Sequence, residues 1–316
     1  MSLHFAALLR RHGLLVAFAL FLALVAVQAE AFLTPSNVLD VLRQVSIIGM
    51  MALGVTFVVV AGRLDLSVGS MLTLLTVIVV DRTNAFGPGL AILVTLLAGL
   101  AAGAWNGLLV GVFRLNALIV TLAMLSFLQG LTLAYSGGSN VNVADGTTWF
   151  AAFGRGSLWG IPAPVVIFAL SAAVLAFVLK RTRFGRAIFA VGGNETAATY
   201  SGIDARLVVF AAYCLSGLTT AIAAIIMGSR VMGAQNTIGQ GYELTVLAGV
   251  ILGGTSLLGG SGSIGRTVLG VAMLGFIQNG LLLMGYPYYV QWLVTWGIII
   301  LAVWIDLGAK RGRILA

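Results

Sequence analysis

Apolar residues in this chain fall into long runs separated by short polar stretches. Many of the runs approach the length that crosses a bilayer. A hydrocarbon core of roughly 30 Å needs about 20 mostly apolar residues in a helix. The pattern predicts ten spans, centred near Leu20, Val55, Leu75, Leu100, Ala123, Ala169, Leu218, Val250, Leu274 and Ile299, with the third and eighth the weakest. The run from Leu14 to Val27 follows Arg10 and Arg11 as in a leader peptide. It is too long for that, and more spans follow, so it reads as a retained first helix. The expected fold is an all-α integral membrane protein with one transmembrane domain over residues 1–316.

Two polar interruptions are longer than the rest. One is 136–161, with Trp149 and Trp159 as candidate interfacial anchors. The other is 181–206, which opens on the cationic cluster Lys180, Arg181, Arg183 and Arg186. Basic residues beside spans are retained on the cytoplasmic side. With the N-terminus inside, thirteen of the 17 basic residues fall at inner ends: Arg10, Arg11, Arg63, Arg114, Lys180, Arg181, Arg183, Arg186, Arg206, Arg266, Lys310, Arg311 and Arg313. Four fall outside: Arg43, Arg82, Arg155 and Arg230. Both termini and the 181–206 loop are then cytoplasmic, and 136–161 is external.

Composition narrows the function classes. The chain is 60% hydrophobic and 8% charged, against about 25% charged in soluble domains. The formal charge of +8 sits at span ends, with no basic amphipathic face, so nucleic acid is not expected as a partner. Cys214 is the only cysteine, and His4 and His12 are isolated, so neither disulfide nor metal site is expected. Gly260-Ser261-Gly262-Ser263-Ile264-Gly265 fits G-x-G-x-x-G but lacks the preceding strand, and reads as a turn or broken helix. The two lysines, Lys180 and Lys310, have no phosphate-cradling loop before them, so the chain is not expected to hydrolyse ATP. No nucleophile–base pair suggests an enzyme.

Two short matches suggest duplication. Asp65-Leu66-Ser67-Val68 is similar to Glu243-Leu244-Thr245-Val246, and Asn106-Gly107-Leu108-Leu109 recurs at Asn279-Gly280-Leu281-Leu282. Members of each pair fall on opposite sides in this orientation, as in an inverted repeat of spans 2–5 against 7–10. Gly99, Gly103, Gly107 and Gly111 form a bare stripe for close helix packing, within one subunit or between two. Charged and amide groups near spans are costly and so informative. Asp65 is read as a helix-terminal group paired with Arg63, with Ser67 capping the third helix, or as a gating residue. Glu243 carries the same alternatives. Gln129, Gln278 and Asn279 either bond helix to helix or line a pathway.

Three stretches in order carry a resemblance: Gly54-Val55-Thr56-Phe57 with Asp65-Leu66-Ser67-Val68-Gly69-Ser70, then Gly192-Gly193-Asn194-Glu195-Thr196-Ala197-Ala198 with Ser201-Gly202-Ile203, then Gly241-Tyr242-Glu243-Leu244 with Leu252-Gly253-Gly254-Thr255-Ser256. From about residue 35 to 307 the chain resembles permease subunits of bacterial ribose-type ABC sugar importers, the second carbohydrate-uptake class. The resemblance implies a ten-span inner-membrane permease that pairs with a second copy or a paralogous permease. It implies a periplasmic sugar-binding protein outside and ABC ATPase subunits inside, with ATP and Mg bound by the ATPase and no cofactor by this chain. Asn194, Glu195, Ala197, Ala198 and Gly202 match the family's ATPase-coupling helix, whose small residues are expected on its exposed surface. Arg63 and Leu64 stand where the family usually has Gly and Ile, and Thr196 where Ala is common. The rival reading is an ion-coupled secondary transporter of a small polar solute, which would need more ionisable groups within the spans.

Overall fold

The computed structural model describes residues 18–144, 148–287, 289–297 and 300. The centre of the tenth span at Ile299 lies outside the described residues. So do His4, His12, Arg10, Arg11, Asp145, Asp306, Lys310, Arg311, Arg313 and both termini.

Among the described residues, seven helices are long and apolar enough to cross a membrane. They are α2 (Pro35–Val60), α3 (Val68–Phe86), α4 (Pro88–Gly107, continued by a π turn, Leu108–Val112), α5 (Ala117–Ser136), α7 (Ala163–Arg181), α10 (Ala205–Val231) and α12 (Ile264–Leu283). Shorter apolar helices are α1 (Phe18–Gln28) and α11 (Tyr242–Leu252). Helical turns recur over 289–297. At 11 residues, α11 spans only about 16 Å, half of a bilayer core. This explains the weak apolar run near Val250.

The helix ends follow local chemistry. Pro35 and Pro88 open α2 and α4, where a missing N–H costs nothing. Thr34, Asn116 and Asp204 cap α2, α5 and α10 with side-chain oxygens. The 136–161 loop is folded. It carries α6 (Thr148–Arg155) and strands β1 (Val141–Asn142), β2 (Ser157–Leu158) and β3 (Ile161–Pro162). β2 pairs with β3, and β1 pairs antiparallel with β4 (Gly233–Ala234), beyond α10. Arg155 donates to the Arg230 and Val231 carbonyls, fixing α6 to the end of α10. Trp149 is half exposed and Trp159 is 93% exposed.

α2 and α10 form the centre. Every residue from Val45 to Val60 is buried, as expected of a helix apolar on all sides. α10 packs on α2, α3 and α4, while α12, α11 and α7 cover the rest of α2. α4, α5 and α7 expose rows of apolar side chains such as Leu93, Leu97, Leu122 and Leu170. An apolar surface of this extent calls for lipid.

The glycine stripe of α4 lies against the α10 backbone. A Cβ at Gly99 would meet the Gly217 carbonyl oxygen at 2.7 Å, and one at Gly111 the Arg206 carbonyl oxygen at 2.8 Å. One at Gly103 would collide with the Tyr213 carbonyl. Gly130 on α5 has nothing within 4 Å. Gly103→Ala is therefore expected to cost about 1–3 kcal/mol through overpacking. Gly130→Ala should be neutral or mildly stabilising, by up to about 1 kcal/mol. Melting of the two variants in detergent, followed by loss of the monodisperse peak, checks this. Equal melting temperatures would mean that the α4–α10 seam is not closely packed.

Candidate functional site

At one end of the bundle, α7 passes into two short capped helices and then into α10. Thr182 accepts from Gly185 N–H and starts α8 (Arg183–Gly193). Asn194 accepts from Ala197 N–H at 2.9 Å and starts α9 (Glu195–Tyr200). Asp204 then caps α10. The loop is thus a rigid elbow, and three contacts fasten it to the centre of the fold. Phe184 of α8 stacks on Phe57 of α2, with centroids 6.1 Å apart. Gly192 lies so close to the Val60 carbonyl that no side chain fits, and that carbonyl accepts from Gly260 N–H at 2.9 Å. Arg63 Nη2 lies 2.6 Å from Glu195 Oε2, each side chain about one-third exposed.

The third contact corrects the expected pairing of Arg63 with Asp65. Arg63 reaches instead across 132 residues to α9. Asp65 turns inward and is 2% exposed. Its Oδ1 accepts from Ser67 N–H at 3.1 Å and Ser67 O–H at 2.6 Å, and its Oδ2 from Ser216 O–H at 2.8 Å. Ser67 occupies the N-cap position of α3 without capping it. Its hydroxyl serves Asp65 and accepts from Asn106 Nδ2 at 2.8 Å. Tyr213, fully buried, donates to the Leu64 carbonyl at 2.7 Å.

The depth of this cluster is informative. Ser216 stands eleven residues beyond the start of α10, about 16 Å along its axis. The extended segment 61–67 therefore climbs from the α9 end into the interior, and α3 starts there. Gly239 and Glu243 sit beside Gly69, and Gly239 N–H donates to Thr73 Oγ1 at 3.1 Å. The N-termini of α3 and α11 thus meet inside the bundle, and each brings one acid. Helix N-termini favour negative charge. Among the described residues no three potential metal ligands of the His, Cys, Asp or Glu type gather.

The amides fall elsewhere. Gln129 Nε2 donates to the Asn236 carbonyl at 2.9 Å. Asn279 and Asn37 exchange two 2.9 Å bonds, tying α12 to α2. Gln278 donates to Thr295 Oγ1 at 3.3 Å. Asn279 therefore does not mirror Asn106, whose partner is Ser67.

On α9 and just after it the small residues divide. Ala197 and Gly202 are exposed, whereas Ala198 is 5% exposed and packs into the core. The expectation that Ala198 lies on an exposed surface is corrected. The i,i+3 geometry instead brings Ala197 and Tyr200 to the open side, and Tyr200 is 89% exposed. An exposed Tyr two residues before Gly202 was visible in the sequence but has no signal that separates it from a core aromatic.

The Arg63–Glu195 pair generates a measurable expectation. A partly exposed ion pair contributes about 0.2–1 kcal/mol, too little to govern global stability. Arg63→Glu and Glu195→Arg should each speed amide exchange over 194–202, and the charge-swapped double variant should restore protection. Exchange unaffected in the single variants would show that Phe184 and Gly192 alone hold the elbow.

The chain matches the family described as branched-chain amino acid transport system / permease component over residues 37–303. It is 39% identical to the ribose import permease protein RbsC of Bacillus subtilis (strain 168), covering 96% of this chain and 95% of that protein. It is 34% identical to the L-arabinose ABC transporter permease protein AraH of Azospirillum brasilense, covering 97% and 90%. The xylose transport system permease protein XylH of Escherichia coli (strain K12) is 31% identical, covering 89% and 87%. No solved structure matches. Spans and full-length likeness agree: the chain belongs to the branched-chain amino acid transport system / permease component family and is a multi-pass membrane transport component, not an enzyme.

Proposed function

We propose that this chain is the permease subunit of an ATP-driven importer that passes a monosaccharide, or a similar small polyol, across the bacterial inner membrane. The observation that carries this reading is the likeness, across nearly the whole chain, to permeases named for ribose, arabinose and xylose. The family description names amino acids, but these relatives, matched end to end, are named for sugars.

In this reading the α9 end is cytoplasmic. Eight described basic residues support that: Arg63, Arg114, Lys180, Arg181, Arg183, Arg186, Arg206 and Arg266, against Arg43, Arg82, Arg155 and Arg230 for the other end. The termini are cytoplasmic too. Asn194, Glu195, Ala197, Ala198 and Gly202 form the coupling element. Ala197 meets the ATPase, Glu195 fastens α9 to Arg63, and Ala198 roots it in the core. ATP and Mg belong to the partner ATPase. The 136–161 face receives the binding protein, and a second permease copy or paralogue completes the channel.

The meeting of α3 and α11 N-termini supports an inverted repeat with a gate at midplane, since broken helices commonly form such sites. Asp65, Ser67 and Glu243 are its gating groups. Asn279 ties α12 to α2, Gln129 ties α5 to the turn before α11, and Gln278 faces a cavity. No covalent step falls to this chain. It converts a push on α9 into relative movement of packed helices.

Two outcomes are expected. Cysteines placed at Ser157 and Thr196, in a Cys214→Ser background, should label from opposite faces of intact cells. Labelling of both from outside would overturn the topology. In liposomes under proton or sodium gradients, the chain alone should not concentrate pentoses or hexoses. Uptake should start once ATPase, ATP and binding protein are supplied. Concentrative uptake without any ATPase would establish the ion-coupled transporter instead.

A further inference from the structure

A cavity of about 300 Å³ lies between α2, α11, α12 and the helical turns at 289–297, at the lower edge of the roughly 300–1,000 Å³ usual for small-molecule sites. Four amides line it, Gln44, Gln240, Gln278 and Gln291, together with the indoles of Trp292 and Trp296. Among the described residues that line it there is no Asp, Glu, Lys or Arg. The bond from Gln278 to Thr295 ties its α12 wall to the 289–297 turns.

The position of these groups demands an explanation. Gln44 stands nine residues into α2, about 14 Å along the helix. It directly follows Arg43, toward the outer end of α2. Amides facing hydrocarbon without partners cost several kcal/mol each. Four amides gathered on one cavity therefore suit water or a polar ligand. Because α2 begins at the end opposite α9, Gln44 lies toward the side from which solute arrives in the proposed orientation.

The lining also selects a chemistry. An amide both donates and accepts, and so matches a hydroxyl in either role. An indole face takes the apolar C–H face of a ring. Amides beside indoles thus suit a solute with hydroxyl edges and C–H faces. A zwitterion would enter with two formal charges and no opposite charge in the lining, which is costly. Arg230 lines an adjoining cleft that shares Gln44 and Tyr242.

We propose that this cavity is a transit site for a neutral polyhydroxylated solute, with Gln44, Gln240, Gln278 and Gln291 as hydrogen-bonding groups and Trp292 and Trp296 as stacking walls. The proposal rests on the importer reading and goes beyond it by naming the site and its selectivity. Gln240 is exposed at the cavity and provides a direct probe. Purified Gln240→Cys in a Cys214→Ser background, held in nanodiscs, is labelled with a charged maleimide in the presence of D-ribose or L-leucine. Saturating D-ribose should slow labelling about threefold or more, with L-leucine inert. No effect of D-ribose, or equal protection by L-leucine, would overturn the assignment.

Reconstituted complexes separate the two levels of inference. With ATPase, ATP and binding protein present, Gln44→Leu and Gln240→Leu should each cut D-ribose uptake by about five- to tenfold, the equivalent of one lost hydrogen bond. Wild-type import with undiminished import by both variants would remove the transit site and leave the importer standing. Absence of ATP-driven import of any pentose or hexose by the wild-type complex would remove both.

Discussion

A backbone that leaves its helix inside a bilayer has no water to bond with, so protein must satisfy each of its polar groups. The segment 61–67 meets that constraint at several of its groups. Ala61, Gly62 and Arg63 N–H groups return to the carbonyls of the last turns of α2. The Val60 carbonyl takes Gly260 N–H, the Leu64 carbonyl takes the Tyr213 hydroxyl, and Ser67 N–H goes to Asp65. Much of the architecture around it follows. Tyr213 and Ser216 lie on the buried side of α10, Asn106 is turned inward, and the glycine stripe of α4 lets α10 come close enough for those bonds to form.

The same constraint explains why so few charges lie deep in the fold. An ionised carboxylate in an apolar interior needs several donors. Asp65 has three, all from serine residues. Arg63 is not among them, because an arginine drawn in to pair with Asp65 would bury a second charge, at a cost of several kcal/mol. At the rim of the bundle, paired with Glu195, it stays about one-third exposed. The departure from the family pattern at Arg63 thus has its counterpart in α9 and not in the buried segment.

Much of this was legible in the sequence, and unevenly so. Long apolar runs specified α2, α5, α7 and α10, because a span has to be long and apolar whatever surrounds it. The caps at Asn194 and Asp204 were of the residue types that helix starts select. Long-range pairing was not legible. Arg63 and Asp65 are two residues apart, and proximity in sequence suggested an ion pair, whereas tertiary geometry turned them in opposite directions. Ala197 and Ala198 are chemically identical, and only the helical phase of α9 against the core separates the exposed one from the buried one. The Gln/Trp cavity draws its walls from residues 44, 240, 278 and 291–296. No local pattern joins segments so far apart.

The elbow of α8 and α9 is attached at the end of the buried helix α2. Its three contacts reach Phe57, the Val60 carbonyl and Arg63. All lie in the last turn of α2 or just after it, at the foot of the segment that carries Asp65. Packed interiors shift between discrete arrangements more readily than they deform continuously. A push on α9 that is not absorbed in the elbow must therefore move α2 and the 61–67 segment together, and with them the start of α3. That start lies against Gly239 and Glu243, so α11 shares the movement. α2 and α11 are also two walls of the Gln/Trp cavity. If α9 is the coupling element proposed above, a load at Ala197 and Tyr200 would reach the cavity through the buried α2 and the 61–67 segment, bypassing α4, α5 and α7.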